Sequence, residues 1–307
     1  MNMTPLVSPL VGIVFAPLAL GVINRTKALF AGRKGAPLCQ LYFDLFKLLR
    51  KGAAYSRTTS WVFRAGPVVG LACLLTATAV VPFGGLATPI RFEGDLVLLV
   101  YLLGLMRFFT VIAALDTGSA FEGMGASREV QFAALAEPAF LLGLAAVARQ
   151  TGSASLSGMM NALTPNTWVE AGPAMAVLVA ALLVVFLAEN ARIPVDDPNT
   201  HLELTMIHEV MVLDHGGPDL ALILYSAALK LWIVGSVLVG IALPVHTGLW
   251  TADVGVSLAG MLGLCVAVGT IESVMARLRL LRVPQLLVSA SALSLLALIL
   301  TLRHHYA

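Results

Sequence analysis

Ala174–Asn190 reads AMAVLVAALLVVFLAEN, and Ile193–Leu213 reads IPVDDPNTHLELTMIHEVMVL. The first stretch is unbroken apolar sequence until Glu189. The second packs four carboxylates and two histidines into 21 residues. A helix crossing a bilayer needs about 20 mostly apolar residues, whereas a buried strand reads as an apolar run of roughly 4–8. The run from Pro173 to Asn190 therefore reads as a membrane span, and the ionisable stretch sits where that span ends.

Working outward, similar runs recur at Leu6–Ile23, Gly66–Val81, Asp95–Leu115, Val130–Ala148, Leu220–Leu243, Val254–Val274 and Pro284–Leu302. In hydrocarbon every backbone polar group must find its partner inside the protein, so runs this long form helices. The alternating segments of about ten residues that mark a membrane barrel are absent. The fold class that follows is an all-α polytopic membrane protein. It has about eight transmembrane helices, with cytoplasmic amphipathic helices, in a single bundle over residues 1–307. Composition agrees. The 307 residues are 59% hydrophobic and only 12% charged, against about 25% charged in a soluble domain. A net charge of +2 gives no footprint for nucleic acid. The N-terminus lacks a basic leader and a small-residue cleavage site, so the first run is expected to be a retained span.

Lys and Arg set the orientation. Of the 19, fourteen lie in or beside the loops of one side, three (Arg91, Arg149 and Arg303) lie on the other, and Arg107 and Lys230 fall inside spans. The basic side is expected to be cytoplasmic, with both termini on the outer face of a prokaryotic inner membrane. The even number of spans agrees with that.

Three cytoplasmic loops, residues 24–65, 116–129 and 191–219, are expected to form a partner-docking face. In the first, PLCQLYFDLFKLLRKG (Pro37–Gly52) puts Leu38, Leu41, Leu45, Leu48 and Leu49 on one helical stripe and Asp44, Lys47 and Lys51 on another. That pattern predicts an amphipathic helix at headgroup depth or against a partner. The second loop contains Gly118, Gly123 and Gly125, which permit unusual turns. Ser127 suits an N-cap opening the fourth span. In the third, Asp197 and Pro198 predict the start of a helix running through Leu213, with His201, Thr205 and His208 along one face and Glu209 beside them. No metal site is expected, because there is no HExxH and no CxxC. The three cysteines, Cys39, Cys73 and Cys265, are widely spaced. The chain is expected to bind no cofactor of its own.

Arg107, Glu137, Glu189, Lys230 and Glu272 fall in or at the edges of spans. A charge at mid-bilayer costs at least about 2.5–3.5 kcal/mol, so such groups pair or line water. They are candidates for a proton path.

Three stretches carry a family resemblance. GRKGAPLCQLYFDLFKLLRKG (32–52) resembles the first cytoplasmic loop of the NuoH family, subunit 1 of respiratory complex I. LDTGSAFEGMGASREVQFAALAEPAFLLGL (115–144) and SVMARLRLLRVP (273–284) resemble its hydrogenase branch, which includes subunit 4 of formate hydrogenlyase and the anchors of other group 4 nickel–iron hydrogenases. The resemblance implies a membrane anchor beneath a peripheral arm. Its partners would be hydrogenase-like large and small peripheral subunits and antiporter-like membrane subunits, with iron–sulfur clusters and nickel–iron held by those partners. It matches Glu189, Arg192, Pro194 and Asp196 to the loop after the fifth span, and Glu137 to the Glu-Pro of the fourth. Arg33, Lys34, Gly35, Gln40, Asp44 and Lys47 match the first, partner-docking loop. Val195 stands where the respiratory form has phenylalanine. DPNTHLELTMIHE replaces most of a glutamate run, leaving Glu203 and Glu209 as acids and placing His201 and His208 near the interface.

The reading is a non-catalytic anchor and coupling subunit of an energy-converting hydrogenase-like oxidoreductase, linking electron transfer to proton or sodium movement. Protonation changes at Glu189, Asp196, Asp197, Glu203 and the histidines are expected to pass inward through Glu137 and Glu272. The alternatives are a quinone-site subunit of a respiratory NADH dehydrogenase and a stand-alone secondary transporter.

Overall fold

The computed structural model describes residues 4–196 and 206–304, and the side chains of 5–196 and 206–302. Among them are ten α-helices: α1 (Thr4–Phe30), α2 (Gln40–Leu49), α3 (Trp61–Val80), α4 (Asp95–Asp116), α5 (Ala120–Thr151), α6 (Leu156–Ala162), α7 (Pro165–Glu189), α8 (Gly217–Ala242), α9 (Trp250–Val274) and α10 (Val283–His304). Eight of them, all but α2 and α6, are long and apolar enough to cross a membrane. This is a multi-pass membrane protein.

Each span runs opposite to the next, so the connections gather at two ends. At one end lie the α1–α3, α4–α5, α7–α8 and α9–α10 connections. They are tied together by Ser60 N to Asp116 Oδ2 (2.6 Å), Asp214 N to Glu122 Oε1 (3.2 Å), Arg128 Nη1 to Met206 O (3.0 Å) and Leu278 N to Pro194 O (2.9 Å). This is the end that carries most of the Lys and Arg. At the other end Asp95 accepts from Ser155 Oγ and Leu156 N, seating α6 against the start of α4. Helix α8 is the centre of the bundle, packed against α1, α2, α3, α7 and α9, and 72% of its apolar window is buried. Its buried face, from Ala228 to Val239, is apolar except for Lys230 and Ser236.

Three expectations are corrected. Helix α5 starts at Ala120, ten residues before the expected Val130. Ser127 lies inside it and donates to Met124 O (2.9 Å), so it is no N-cap. The turn needs only Gly118, which has φ +71°; Gly123 and Gly125 are helical. Gly125 is required for another reason. A Cβ there would lie 2.3 Å from Val210 Cγ1 and 2.9 Å from Ile207 O, so the 206–212 segment crosses α5 in direct backbone contact. Finally, no α-helix runs on to Leu213. Asp197, Pro198, His201, Glu203 and Thr205 lie outside the described residues. From Met206 the chain makes a single 3-10 turn, Glu209–Val212. Its apolar side chains Ile207, Val210 and Met211 are buried, and Asp196 Oδ2 takes up the Ile207 and His208 N–H groups, which a continuing helix would have bonded internally.

Helix α2 forms where expected, but its apolar residues divide. Leu41, Leu45 and Leu48 turn toward the bundle, and Phe43, Phe46 and Leu49 are exposed. The Tyr42 hydroxyl donates to Val14 O of α1, which pins α2 along that span.

Candidate functional site

Arg107 sits mid-way along α4, where a lone cation would be prohibitive, and it is 8% exposed. Three acids from two other helices answer it. Its Nε donates to Glu129 Oε1 at 3.0 Å, its Nη1 to Glu137 Oε1, and its Nη2 to both Glu189 oxygens at 2.7 and 2.6 Å. The flat guanidinium fork suits this work, since it can serve several carboxylates at once. Lys230 of α8 places its Nζ 3.9 Å from Glu189 Oε2.

The far oxygen of Glu129 leads toward the basic end. His208 Nε2 is 3.2 Å from Glu129 Oε2, and His208 Nδ1 is 3.8 Å from Asp196 Oδ2. The other oxygen of Asp196 accepts from Arg277 Nη2 at 2.8 Å. Asp196 is 3% exposed. Burial works to raise its pKa, but the hydrogen bond and charge of His208, followed by the charge of Arg277, outweigh it and hold the carboxyl below the ordinary range.

These contacts join Arg277, Asp196, His208, Glu129, Arg107, Glu189 and Lys230 into one chain of charge, with Glu137 as a branch. Among the described residues, four carboxylates in it face the Arg107 and Arg277 guanidiniums, the Lys230 amine and the His208 imidazole. A narrow cleft lined by Arg107, Glu129, Glu189 and His208, with Phe132 and Ile207 on its apolar side, has room for roughly one water.

Sequence reasoning brought Arg107, Glu137, Glu189, Lys230, Asp196 and His208 forward, and the fold gathers them. It separates Arg192 and Glu272. Arg192 Nη1 is 3.3 Å from Glu272 Oε1, and Lys27 Nζ is 2.8 Å from Glu272 Oε2, which makes a second buried ion group between α1 and α9. No ion pair among the described residues joins it to Arg107. Glu209 lies at the head of the 3-10 turn. Arg33, Lys34 and Gly35 are exposed on the α1–α2 connection, as is Lys47 on α2, where Gln40 donates to Asp44 at 2.9 Å. Two acids were missed. Glu129 is the hinge of the cluster, and Glu122 is 1% exposed. Their signal was present: Glu122, Glu129 and Glu137 recur at seven and eight residues, the spacing of one helical face. Beginning the helix at Val130 hid it.

The family model described as NADH dehydrogenase matches residues 4–302. The chain belongs to that family. Within the NADH dehydrogenase family it is 31% identical over 283 residues to formate hydrogenlyase subunit 4 of Escherichia coli (strain K12), covering 90% of this chain and 91% of the relative. It is 31% identical over 232 residues to hydrogenase-4 component C of the same organism, covering 76% and 72%. Its fold matches a chain in the structure of the membrane-bound sulfane sulfur reductase, an archaeal respiratory membrane complex. The TM-score is 0.84 at 18% identity, over 96% of this chain and 98% of that one.

Proposed function

We propose that this chain is the membrane-anchor and coupling subunit of an energy-converting, hydrogenase-like oxidoreductase. The basic end faces the cytoplasm and docks hydrogenase-like large and small subunits, whose iron–sulfur and nickel–iron centres carry the electrons. Antiporter-like membrane subunits flank the bundle. Family membership and the two hydrogenase-type relatives support the class. The observation that carries the coupling role is the buried chain from Asp196 through His208 and Glu129 to Arg107 and Glu189.

The mechanism is electrostatic. An electron arriving at a docked redox centre makes the basic end more negative, and the cluster responds by taking up a proton at His208 or at a neighbouring carboxylate. Arg107 then redistributes among Glu129, Glu137 and Glu189. In low-dielectric surroundings one unit charge shifts the others strongly. The ion driven by this change is a proton or sodium.

The test is Glu189→Gln in the complex copurified with the tagged chain and sealed into vesicles. With dithionite-reduced methyl viologen as donor, electron transfer should persist while uptake of protons or sodium, followed with ion-sensitive dyes, is lost. Ion uptake at the wild-type rate would reject the coupling role.

A further inference from the structure

We infer that Glu122, His215 and Asp214 form a proton-entry station that feeds the Glu129–His208 pair from the basic end. The inference rests on the coupling role proposed above. It begins with helix α5. Glu122 and Glu129 are seven residues apart, two turns of one face, and so roughly 10 Å apart along the axis. Gly125 lies between them, and there the 3-10 turn Glu209–Val212 crosses α5 at backbone contact. Each end of that crossing is held by one of the two acids. Glu129 meets His208 just before the turn, at 3.2 Å, and Glu122 Oε1 accepts the Asp214 N–H just after it, at 3.2 Å. One short strap therefore links the buried cluster to a second group of titratable side chains nearer the basic end.

That second group is built like a port. Asp214 is exposed, whereas Glu122, which accepts its N–H, and the neighbouring residue His215 are 1% and 6% exposed. Glu122 Oε2 and His215 Nδ1 are buried without a hydrogen-bond partner, as is Asp219 Oδ2 in the first turn of α8. Buried polar atoms in proteins are nearly always satisfied, so unpartnered oxygen and nitrogen atoms within one group are places where a proton or a water is received. His215 stacks on Phe63 of α3 at 3.9 Å between ring centroids, which fixes its plane. The charged and titratable groups facing the station are Asp214 and Asp219 beside His215, Asp214 beside Glu122, and Tyr55 against Asp219 with the Arg64 guanidinium over its ring; the Thr117 hydroxyl also lies beside Glu122. Burial holds His215 below the usual imidazole range, against the pull of Asp219 and Asp214. It is thus neutral at rest and able to accept.

The step is a proton transfer with no change in bonding to carbon. Asp214 takes a proton from bulk water, and His215 and Glu122 pass it on. Glu129 or His208, roughly 10 Å farther along α5, receives it through water entering beside the 206–212 segment when the cluster becomes more negative. The experiment is proton uptake from bulk solution by the purified complex on reduction with dithionite, followed with a pH-indicator dye across a range of pH. In Glu122→Gln and Asp214→Asn the uptake rate should fall by roughly tenfold or more, with the deficit growing as pH rises and protons become scarce. Glu122→Asp should restore part of it. Glu189→Gln should lose the amplitude instead, so wild-type amplitude there rejects the coupling role on which the port rests, whereas lost amplitude in Glu189→Gln with wild-type rates in the port variants rejects the port alone. Wild-type rates at every pH in both port variants would overturn the station. If Glu122→Gln does not assemble, Asp214→Asn decides alone, because its side chain lies on the surface.

Discussion

Arg107 is the residue whose removal has the largest consequence. Without its guanidinium, Glu129, Glu137 and Glu189 converge on empty space with only Lys230 and His208 nearby. Breaking a buried ion group from one side costs about 3–5 kcal/mol, since the remaining charges stay desolvated. Arg107→Met should therefore lower the thermal midpoint of the detergent-solubilised complex sharply or prevent its assembly. Arg107→Lys keeps the charge but loses the fork, which reaches three acids at once. It should assemble and lose most ion uptake, measured in the same vesicles as Glu189→Gln. An Arg107→Met complex with the wild-type midpoint would show that the acids are already protonated and need no cation. At this scale the sequence was informative wherever a charge fell inside an apolar run, because the cost of burying it demands a partner. It was silent on the pairing itself: nothing in the spacing tells Arg107 to meet Glu189, 82 positions away, or Glu272 to meet Lys27.

Helix α5 shows what was and was not legible in an element. Its existence followed from its apolar run. Its start did not, since Gly118, Gly123 and Gly125 look like a loop and only Gly118 is one. The helix continues because Gly123 and Gly125 sit under no strain there, and Gly125 accommodates a crossing segment that could not be seen from α5 alone. Adding a side chain at that crossing is the direct check. Gly125→Val would put its Cβ against both Val210 and the Ile207 carbonyl, and overpacking of this sort costs roughly 1–3 kcal/mol. The strap would lift from α5 and carry His208 away from Glu129. The expected result is a complex of modestly lower thermal midpoint whose ion uptake falls much further than its stability. Equal losses in both would mean the crossing is only structural. The 206–213 segment misled for the converse reason. Its helix-like pattern was overridden by Asp196, which takes the Ile207 and His208 N–H groups for itself.

For the whole molecule, eight spans were legible because a bilayer imposes length and apolarity on each one separately. How they pack was not, since lipid-facing and helix-facing surfaces are both apolar and α8 reads no differently from its neighbours. The pH response belongs to this scale. Asp196 has a depressed folded pKa, so its contribution is present above about pH 4, the ordinary carboxylate value, and is lost as pH falls through the depressed one. His215 is depressed too, so its contribution is complete above about pH 6.5 and is lost as pH falls below that. The thermal midpoint should decline in two stages on acidification, and His215→Phe, which keeps a ring against Phe63, should remove the upper one.

Orientation can be settled with a group the chain already carries. Cys39 is exposed on the approach to α2, and Cys73 and Cys265 are buried. The excess of Lys and Arg predicts that Cys39 faces the inside of the cell. A membrane-impermeant maleimide should then leave the chain unlabelled in intact cells and label it in inverted vesicles, with the signal abolished by Cys39→Ser. Because burial silences the other two thiols, the signal reports one position. Since the loops carrying Asp196, His208 and Asp214 lie at the same end as Cys39, labelling from outside would reverse the sidedness of the proton entry as well as of the docking face.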